Sequence, residues 1–416
     1  MNYKRTVRSC MTAIFSQAIV TNLVALLFTP FMTLYGLTYA DLGILVCINF
    51  ATQVSADIIF SGAIDRIGFR KLILPTCVLT FTGLITLACV PWLFPGHIFA
   101  GLVVATVIFA FSGGLMEVLI SPMVDAIPSD DKAKAMSMMH SFYAWGQIAT
   151  IIGTTLFIFV FGGENWQILT FLWALLPFVN FFMFLFSPIP DVIPAEKREP
   201  AKLILKNGFY ILALAAIFFG AGTEITLNQW TSTFMEKGLG LSKVSGDLFG
   251  MCGFAFMLGM GRLLHGKFGD RIDVSKLLIG GSLLSLICYI TVALSPSAVI
   301  NVAACILCGF GASLLWPGTI VVSSERFPMA GAWMFAVLAV AGDIGGSLSS
   351  WITGEIVDFT MTTNFAVKLA NFIGSTVEQA SIRTGILCAA VFPLCAFVLH
   401  CVLGKMRKAR REEIKK

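Results

Sequence analysis

The sequence predicts an all-α integral membrane protein, with twelve transmembrane helices in two six-helix bundles related by a pseudo-two-fold axis. Three observations predict it. Charged residues make up only 12% of the 416 residues and apolar types 57%, where a soluble domain carries about 25% charge. The apolar residues gather in twelve runs of the roughly 20 residues a bilayer crossing requires. The basic residues fall on alternate connections between those runs. So little charge cannot cover a soluble surface of this size without large apolar patches. This argues against a soluble enzyme, a nucleic-acid binder and a disordered scaffold, and makes the lipid bilayer the first expected partner.

In chain order the runs lie near 10–32, 40–63, 71–93, 98–122, 135–161, 167–187, 207–234, 246–266, 275–294, 298–321, 329–356 and 384–404. A backbone crossing lipid must satisfy its own hydrogen bonds, so runs of this length are helices. The first run follows a basic start and lacks a small-residue cleavage site, which marks a retained span rather than a signal peptide. Of 28 Lys and Arg, 24 lie at the termini and on the even-numbered connections; the four on the other side are Lys237, Lys243, Lys368 and Arg383. Positive charge marks the cytoplasmic face, so both termini are expected in the cytoplasm of a cell carrying the protein in its plasma membrane. The eleven cysteines, such as Cys77, Cys288 and Cys395, sit mostly inside apolar runs and read as small buried hydrophobes. Cys305-x-x-Cys308 lacks a second ligand pair and the four histidines show no zinc spacing, so no metal or cofactor is expected.

The chain divides into halves: a bundle over 1–187, a Pro-rich charged linker over 188–206, and a second bundle over 207–416 ending in a basic tail. Internal correspondences support the division. Gly62-Ala-Ile-Asp65-Arg66-Ile-Gly68-Phe-Arg70-Lys71 follows span 2, and Gly266-Lys-Phe-Gly-Asp270-Arg271-Ile follows span 8. Ala144-Trp-Gly146-Gln147-Ile in span 5 matches Val340-Ala-Gly342-Asp343-Ile in span 11, and Gly114 to Pro122 in span 4 matches Gly311 to Pro317 in span 10. Parallel six-helix repeats are a transporter architecture, with the solute site near the midplane between the halves.

The Asp-Arg-x-Gly-x-Arg-Lys signature after span 2, its weaker copy after span 8 and the six-plus-six layout resemble the major facilitator superfamily across the whole chain. The usual leading Gly is Ser61 here, with Gly62 beside it. The resemblance implies that Asp65, Arg66, Arg70, Asp270 and Arg271 form gating contacts that close and open with the bundle ends. Gly113-Gly114-Leu-Met-Glu117-Val-Leu-Ile-Ser-Pro122 and Met138-Met139-His140-Ser-Phe-Tyr143-Ala-Trp-Gly146 are similar to spans 4 and 5 of the fucose permease family of sugar/proton symporters. That family's span-1 carboxylate is missing, and Asn22 is the polar candidate in its place.

A charge at the bilayer centre costs at least about 2.5–3.5 kcal/mol and is a functional hypothesis by default. Glu117 shares a helix face with Gly113 and Gly114, and reads as a proton-titrating or solute-binding carboxylate, or as a structural tie to another helix. In span 7, Glu224 and Asn228 stand at i and i+4 with Trp230 beyond, and Gly220 and Gly222 precede them. The glycines are expected to ease local unwinding, and carboxylate, amide and indole together suit a hydroxyl-rich ligand. Trp230 alternatively belongs to an interfacial aromatic belt. Asp343, within Gly342-Asp343-Ile-Gly345-Gly346, reads as a titrating group or as the partner of a cation such as Arg262, with close helix packing at its glycines. Gln147, Tyr143 and His140 form a polar stripe on span 5, where His140 is either a proton carrier or a hydrogen-bonded structural group. Gln17, Gln53 and Asn180 are further polar candidates, and Asp57 is assigned to span 2 or to the gate.

The expected solute site is therefore Asn22, Glu117, Tyr143, Gln147, Glu224, Asn228, Trp230 and Trp316, with Glu117, Glu224, Asp343 and His140 as coupling groups. The expected function is secondary transport of a small polar solute, a sugar, by alternating access with proton or sodium symport in a monomer. The alternative is a proton-coupled exporter of the same fold. A sensor without transport and a membrane-embedded enzyme fit less well, since there is no added domain, no nucleotide loop and no recurring nucleophile-base pair.

Overall fold

The computed structural model describes residues 3–60, 67–127, 132–190, 204–268, 273–327 and 332–415. At 121–122, 125–126, 132–141, 266–268, 324, 332–333, 335–336, 411 and 413–415 the description covers the backbone alone. The regular structure of the described residues is helical, with no strand among them. The first half holds α1 (Lys4–Leu26), α2 (Phe28–Tyr35), α3 (Tyr39–Phe60), α4 (Phe69–Leu93), α5 (Ile98–Ala126), α6 (Lys132–Phe161) and α7 (Trp166–Leu185). The second holds α8 (Gly208–Thr233), α9 (Gly253–Phe268), α10 (Val274–Leu294), α11 (Ala298–Ala312), α12 (Leu315–Arg326), α13 (Ala332–Met361), α14 (Asn364–Ile373), α15 (Val377–Ala389) and α16 (Val391–Lys415). Among the described residues eleven helical stretches are long and apolar enough to cross a membrane. The 30-residue α13 occupies the remaining predicted span.

Three spans expected to be continuous are interrupted, and each interruption has a proline behind it. Pro30, Pro317 and Pro393 lack an N–H, and their rings crowd the carbonyl four residues earlier. That carbonyl belongs to Leu26 at the end of α1, to Ser313 between α11 and α12, and to Ala389 at the end of α15. The helix resumes at once, as the Phe31 N–H donating to the Leu27 carbonyl at 2.9 Å shows. Pro177 is accommodated inside α7 without a break. A second difference is α14, which forms inside a connection expected to be a loop. Its N-cap Thr363 accepts from the Ala366 N–H and Gly374 closes it in the left-handed region.

The chain divides into two compact units, 1–196 and 197–416. In the first, α1 packs on α5, α6 and α7, while α5 packs on α3 and α4. Cys10, Ile73, Cys77, Met116, Leu119 and Phe184 share its core. In the second, α8 packs on α13 and α16, and α11 on α9 and α10. Tyr210, Ile217, Met334 and Leu338 pack together there. Lipid is as apolar as these side chains, so helices associate through close contact rather than through a hydrophobic drive. Gly309 and Gly345 provide it: a Cβ on either would lie 2.2 Å from the Phe254 carbonyl oxygen or 2.0 Å from that of Phe218. Large side chains such as Phe159 and Leu172 point outward instead, as they must where the solvent is hydrocarbon.

Two of the four basic residues that break the charge alternation have local duties. Lys243 pairs with the buried Asp247 at 3.2 Å. Arg383 donates to the Ala293 and Ser295 carbonyls at 3.2 and 2.6 Å, closing the C-terminal end of α10, where a cation suits the helix dipole.

Candidate functional site

In the first unit a polar network runs across four helices. Gln147 Nε2 on α6 donates to Asn22 Oδ1 on α1 at 3.2 Å. Asn22 Nδ2 donates to the Ala18 carbonyl at 2.8 Å, one turn back on its own helix. Asn49 on α3 donates to the Val20 carbonyl at 2.9 Å and accepts from Gln53 Nε2 at 2.7 Å. Gln17 Nε2 donates to Glu117 Oε2 at 3.3 Å. Buried polar groups are costly unless bonded, and these bonds hold α1, α3, α5 and α6 in one register.

Glycine decides how closely α3 approaches α5. A Cβ on Gly114 would lie 2.4 Å from the Gln53 carbonyl oxygen and 3.0 Å from Asp57 Oδ1; one on Gly113 would lie 2.9 Å from Gln53 Oε1. The neighbour that these glycines admit is therefore another helix. Its approach carries Asp57, buried at 3% exposure, to within 4.8 Å of Glu117, measured between carboxylate oxygens. At an effective dielectric of about 20, two full charges that close repel by about 3.5 kcal/mol. A proton or a cation relieves this, and Gln17 adds an amide to the group. Asp57 thus lies beside Glu117.

In the second unit Glu224 on α8 accepts from Arg262 Nη2 on α9 at 3.0 and 3.3 Å. The sequence offers Arg262 to Asp343; the structure closes it on Glu224. Arg262 Nε also donates to the Ser313 carbonyl at 3.2 Å, the carbonyl that Pro317 deprives of a helical partner. The Gly311–Pro317 motif therefore serves to orient an arginine. Asp343 is buried at 5% exposure on α13. The glycines around it pack as their number suggests: Gly342 under the Trp316 ring, Gly345 on the Phe218 backbone and Gly346 on Ile225. Trp316, half-buried, is thereby set one residue from Asp343.

The expected unwinding at Gly220 and Gly222 does not occur. α8 runs unbroken through both, because they are used for contact: Gly220 against Leu315 and Gly222 against the Phe392 ring. The irregular backbone comes later, as wide helical turns at Phe234–Gly238 and Gly246–Cys252. Ser232 Oγ, at the end of α8, donates to Asp247 in the second of these turns, whose Oδ1 is 3.2 Å from Lys243 Nζ. Trp230 is buried at 2% exposure, so it is no lipid-facing belt residue. Asn228 is buried beside it, one turn on from Glu224.

Tyr143 packs half-buried against the core of the first unit. The His140 side chain lies outside the described residues, as do Asp65, Arg66, Asp270 and Arg271. Arg70 donates to the Leu185 and Ser187 carbonyls at 3.3 and 2.6 Å, tying α4 to the end of α7 within the first unit. Asn49 and Asp247 were not foreseen. Asn49, Gln53 and Asp57 stand at i, i+4 and i+8, a stripe on one helix face that spacing alone could reveal.

The model of the Major Facilitator Superfamily matches residues 10–350. The chain belongs to that superfamily. An uncharacterised MFS-type transporter of Yersinia pestis is 23% identical over 318 residues, 74% of this chain and 78% of that protein. A bacterial homologue of the human lysosomal transporter Spinster, solved inward-facing and occupied, superposes with a TM-score of 0.79 at 15% identity, over 97% of each chain. A D-xylose-proton symporter superposes with a TM-score of 0.72 at 15% identity, over 94% of this chain and 97% of that one. These likenesses carry the fold. As a member of the superfamily the protein is a multi-pass membrane carrier, a secondary transporter with a small-molecule substrate.

Proposed function

We propose that the protein imports a sugar together with a proton across the plasma membrane, working as a monomer with both termini in the cytoplasm. The observation that carries the coupling is the Asp57–Glu117 pair. Two acids too close to hold two charges comfortably give a coupling ion a place to bind, and loading and release there change the charge the unit carries. Asn22, Tyr143 and Gln147 in the first unit, and separately Asn228, Trp230 and Trp316 in the second, are amides, a hydroxyl and rings of the kinds that sugar hydroxyls and ring faces use. The span-4 and span-5 similarity to fucose permeases and the likeness to a D-xylose-proton symporter support the same reading. The basic residues, gathered at the termini and even-numbered connections, support the orientation.

The test is uptake by the purified carrier in liposomes. A labelled sugar from a broad panel should accumulate when an inward proton gradient is imposed, and collapse when the gradient is dissipated. Glu117→Gln should abolish accumulation while sparing sugar exchange without a gradient. Accumulation driven by a sodium gradient alone would replace the proton by sodium, and no uptake of any sugar would remove the substrate class.

A further inference from the structure

The short helix α14 lies where the chain turns between its last two spans, on the side of the second unit away from the basic tail. Its joints are short: Thr362 and Thr363 link it to α13, and residues 374–376 link it to α15. Three residues reach about 10 Å at most, so the helix stays beside the span ends. The Thr363 cap holds one joint, and the capping box of Thr376 and Gln379 holds the other. α14 packs on α15 and touches α13, with Ala366 and Ala370 as its buried residues. At about 3.6 residues per turn, the order around the helix from that buried strip is Ile373, Leu369, Phe365 and Phe372, then Lys368, Asn364 and Asn371. Phe365 is 58% exposed and Phe372 87%. One arc thus meets the protein, the next is apolar and largely uncovered among the described residues, and the third is polar. Val367 alone breaks the pattern, between Asn371 and Ala370.

We propose that α14 is an interfacial helix whose Phe365, Leu369, Phe372 and Ile373 lie in the lipid of the leaflet at that face. Depth decides the partner. The first turns of α15 are polar, with Glu378, Gln379, Ser381, Arg383 and Thr384, and Arg383 bonds the Ala293 and Ser295 carbonyls at the end of α10. Those bonds mark the level at which two crossing helices leave the hydrocarbon. With three residues between them, α14 meets α15 near these turns, at the level of the head groups. A helix at that level with one apolar and one polar arc sinks the apolar arc about 5–10 Å into the boundary and keeps the other wet. The apolar arc of α14 adjoins its buried strip, so it continues the lipid-facing surface of the spans. A water-borne partner would have to reach it through the head groups. Lys368, on the polar arc, is exposed and keeps its ammonium among water and phosphates.

The experiment places the photo-crosslinker p-benzoylphenylalanine at Phe372, and separately at Asn371, in the full-length carrier in phosphatidylcholine liposomes. After irradiation, mass spectrometry should find lipid adducts from position 372 and few or none from position 371. A second readout is amide hydrogen exchange across residues 364–373 in the same liposomes. Phe365→Ser with Phe372→Ser should speed it about tenfold or more, the equivalent of losing the burial of one Phe side chain, and leave exchange in α13 unchanged. Lys368→Gln, on the polar arc, should leave both rates as they are. Equal lipid adducts at 371 and 372, or none at 372, would overturn the proposal. So would a crosslinked dimer of the chain from position 372, which would make the apolar arc an interface between two copies. Unchanged exchange in the double variant would overturn it as well.

Discussion

Replacing Arg262 with Met removes two contacts of different kinds, and each has a size. The first is the ion pair with Glu224. Breaking a fully buried pair costs about 3–5 kcal/mol. Here the arginine side chain is 38% exposed and the glutamate 16%, so solvent screening brings the expected cost to about 2 kcal/mol. The second is the bond from Nε to the Ser313 carbonyl at 3.2 Å, whose loss costs about 1 kcal/mol because Pro317 offers that oxygen nothing else. Arg262→Met should therefore destabilise by about 3 kcal/mol in all. Adding Glu224→Gln should recover the first part and not the second, leaving a deficit of about 1 kcal/mol. In a Pro317→Ala background the helix supplies the missing N–H, and Arg262→Met should cost only about 2 kcal/mol. Denaturant unfolding of the wild type, Arg262→Met, its double variant with Glu224→Gln, Pro317→Ala and Pro317→Ala with Arg262→Met, in one detergent, measures these differences. A double variant as unstable as Arg262→Met alone would refute the pairing. An undiminished penalty in the Pro317→Ala background would refute the role of the freed carbonyl.

Asp57→Asn keeps the shape of the side chain and removes about 3.5 kcal/mol of repulsion at Glu117, so gradient-driven accumulation should fall at least tenfold while exchange without a gradient persists. Equal loss of both in the liposome assay would mean that Asp57 serves the solute rather than the coupling. Gly345→Ala places a methyl 2.0 Å from the Phe218 carbonyl oxygen, and parting α8 from α13 should cost about 1–3 kcal/mol or more; an unchanged Tm would count against that packing. Asn22→Leu removes the acceptor that Gln147 uses and should cost about 1 kcal/mol. If the pair also holds solute, the transport KM rises about tenfold or more, and an unchanged KM would take both residues out of the site.

The span count was legible because lipid imposes one rule on every crossing segment, and hydropathy reports that rule directly. The interruptions at Pro30, Pro317 and Pro393 were less so, since Pro177 has the same chemistry and leaves α7 intact; surrounding helices decide which prolines break a span. Glu117 and Glu224 stood out as single charges in apolar runs, but their partners did not. Asp57 meets Glu117 because Gly113 and Gly114 admit α3, and Arg262 meets Glu224 because Pro317 frees a carbonyl. Such pairings depend on which helix lies alongside, a relation that a linear sequence without homologues does not display. Gly220 and Gly222 misled for the same reason: a glycine inside a span permits either unwinding or contact, and only the neighbour tells which.

The proline interruptions have a mechanical consequence. They fall at Leu27, at Ser313–Leu314 and at Ala390, in segments that carry none of the acids Asp57, Glu117, Glu224 and Asp343. The helices that do carry those acids, α3, α5, α8 and α13, run without a break through each of the four positions. Compliance and charge are thus placed on different segments. A unit that flexes during a transport cycle can yield at its proline joints, while the spacing of its carboxylates is held by stiff rods.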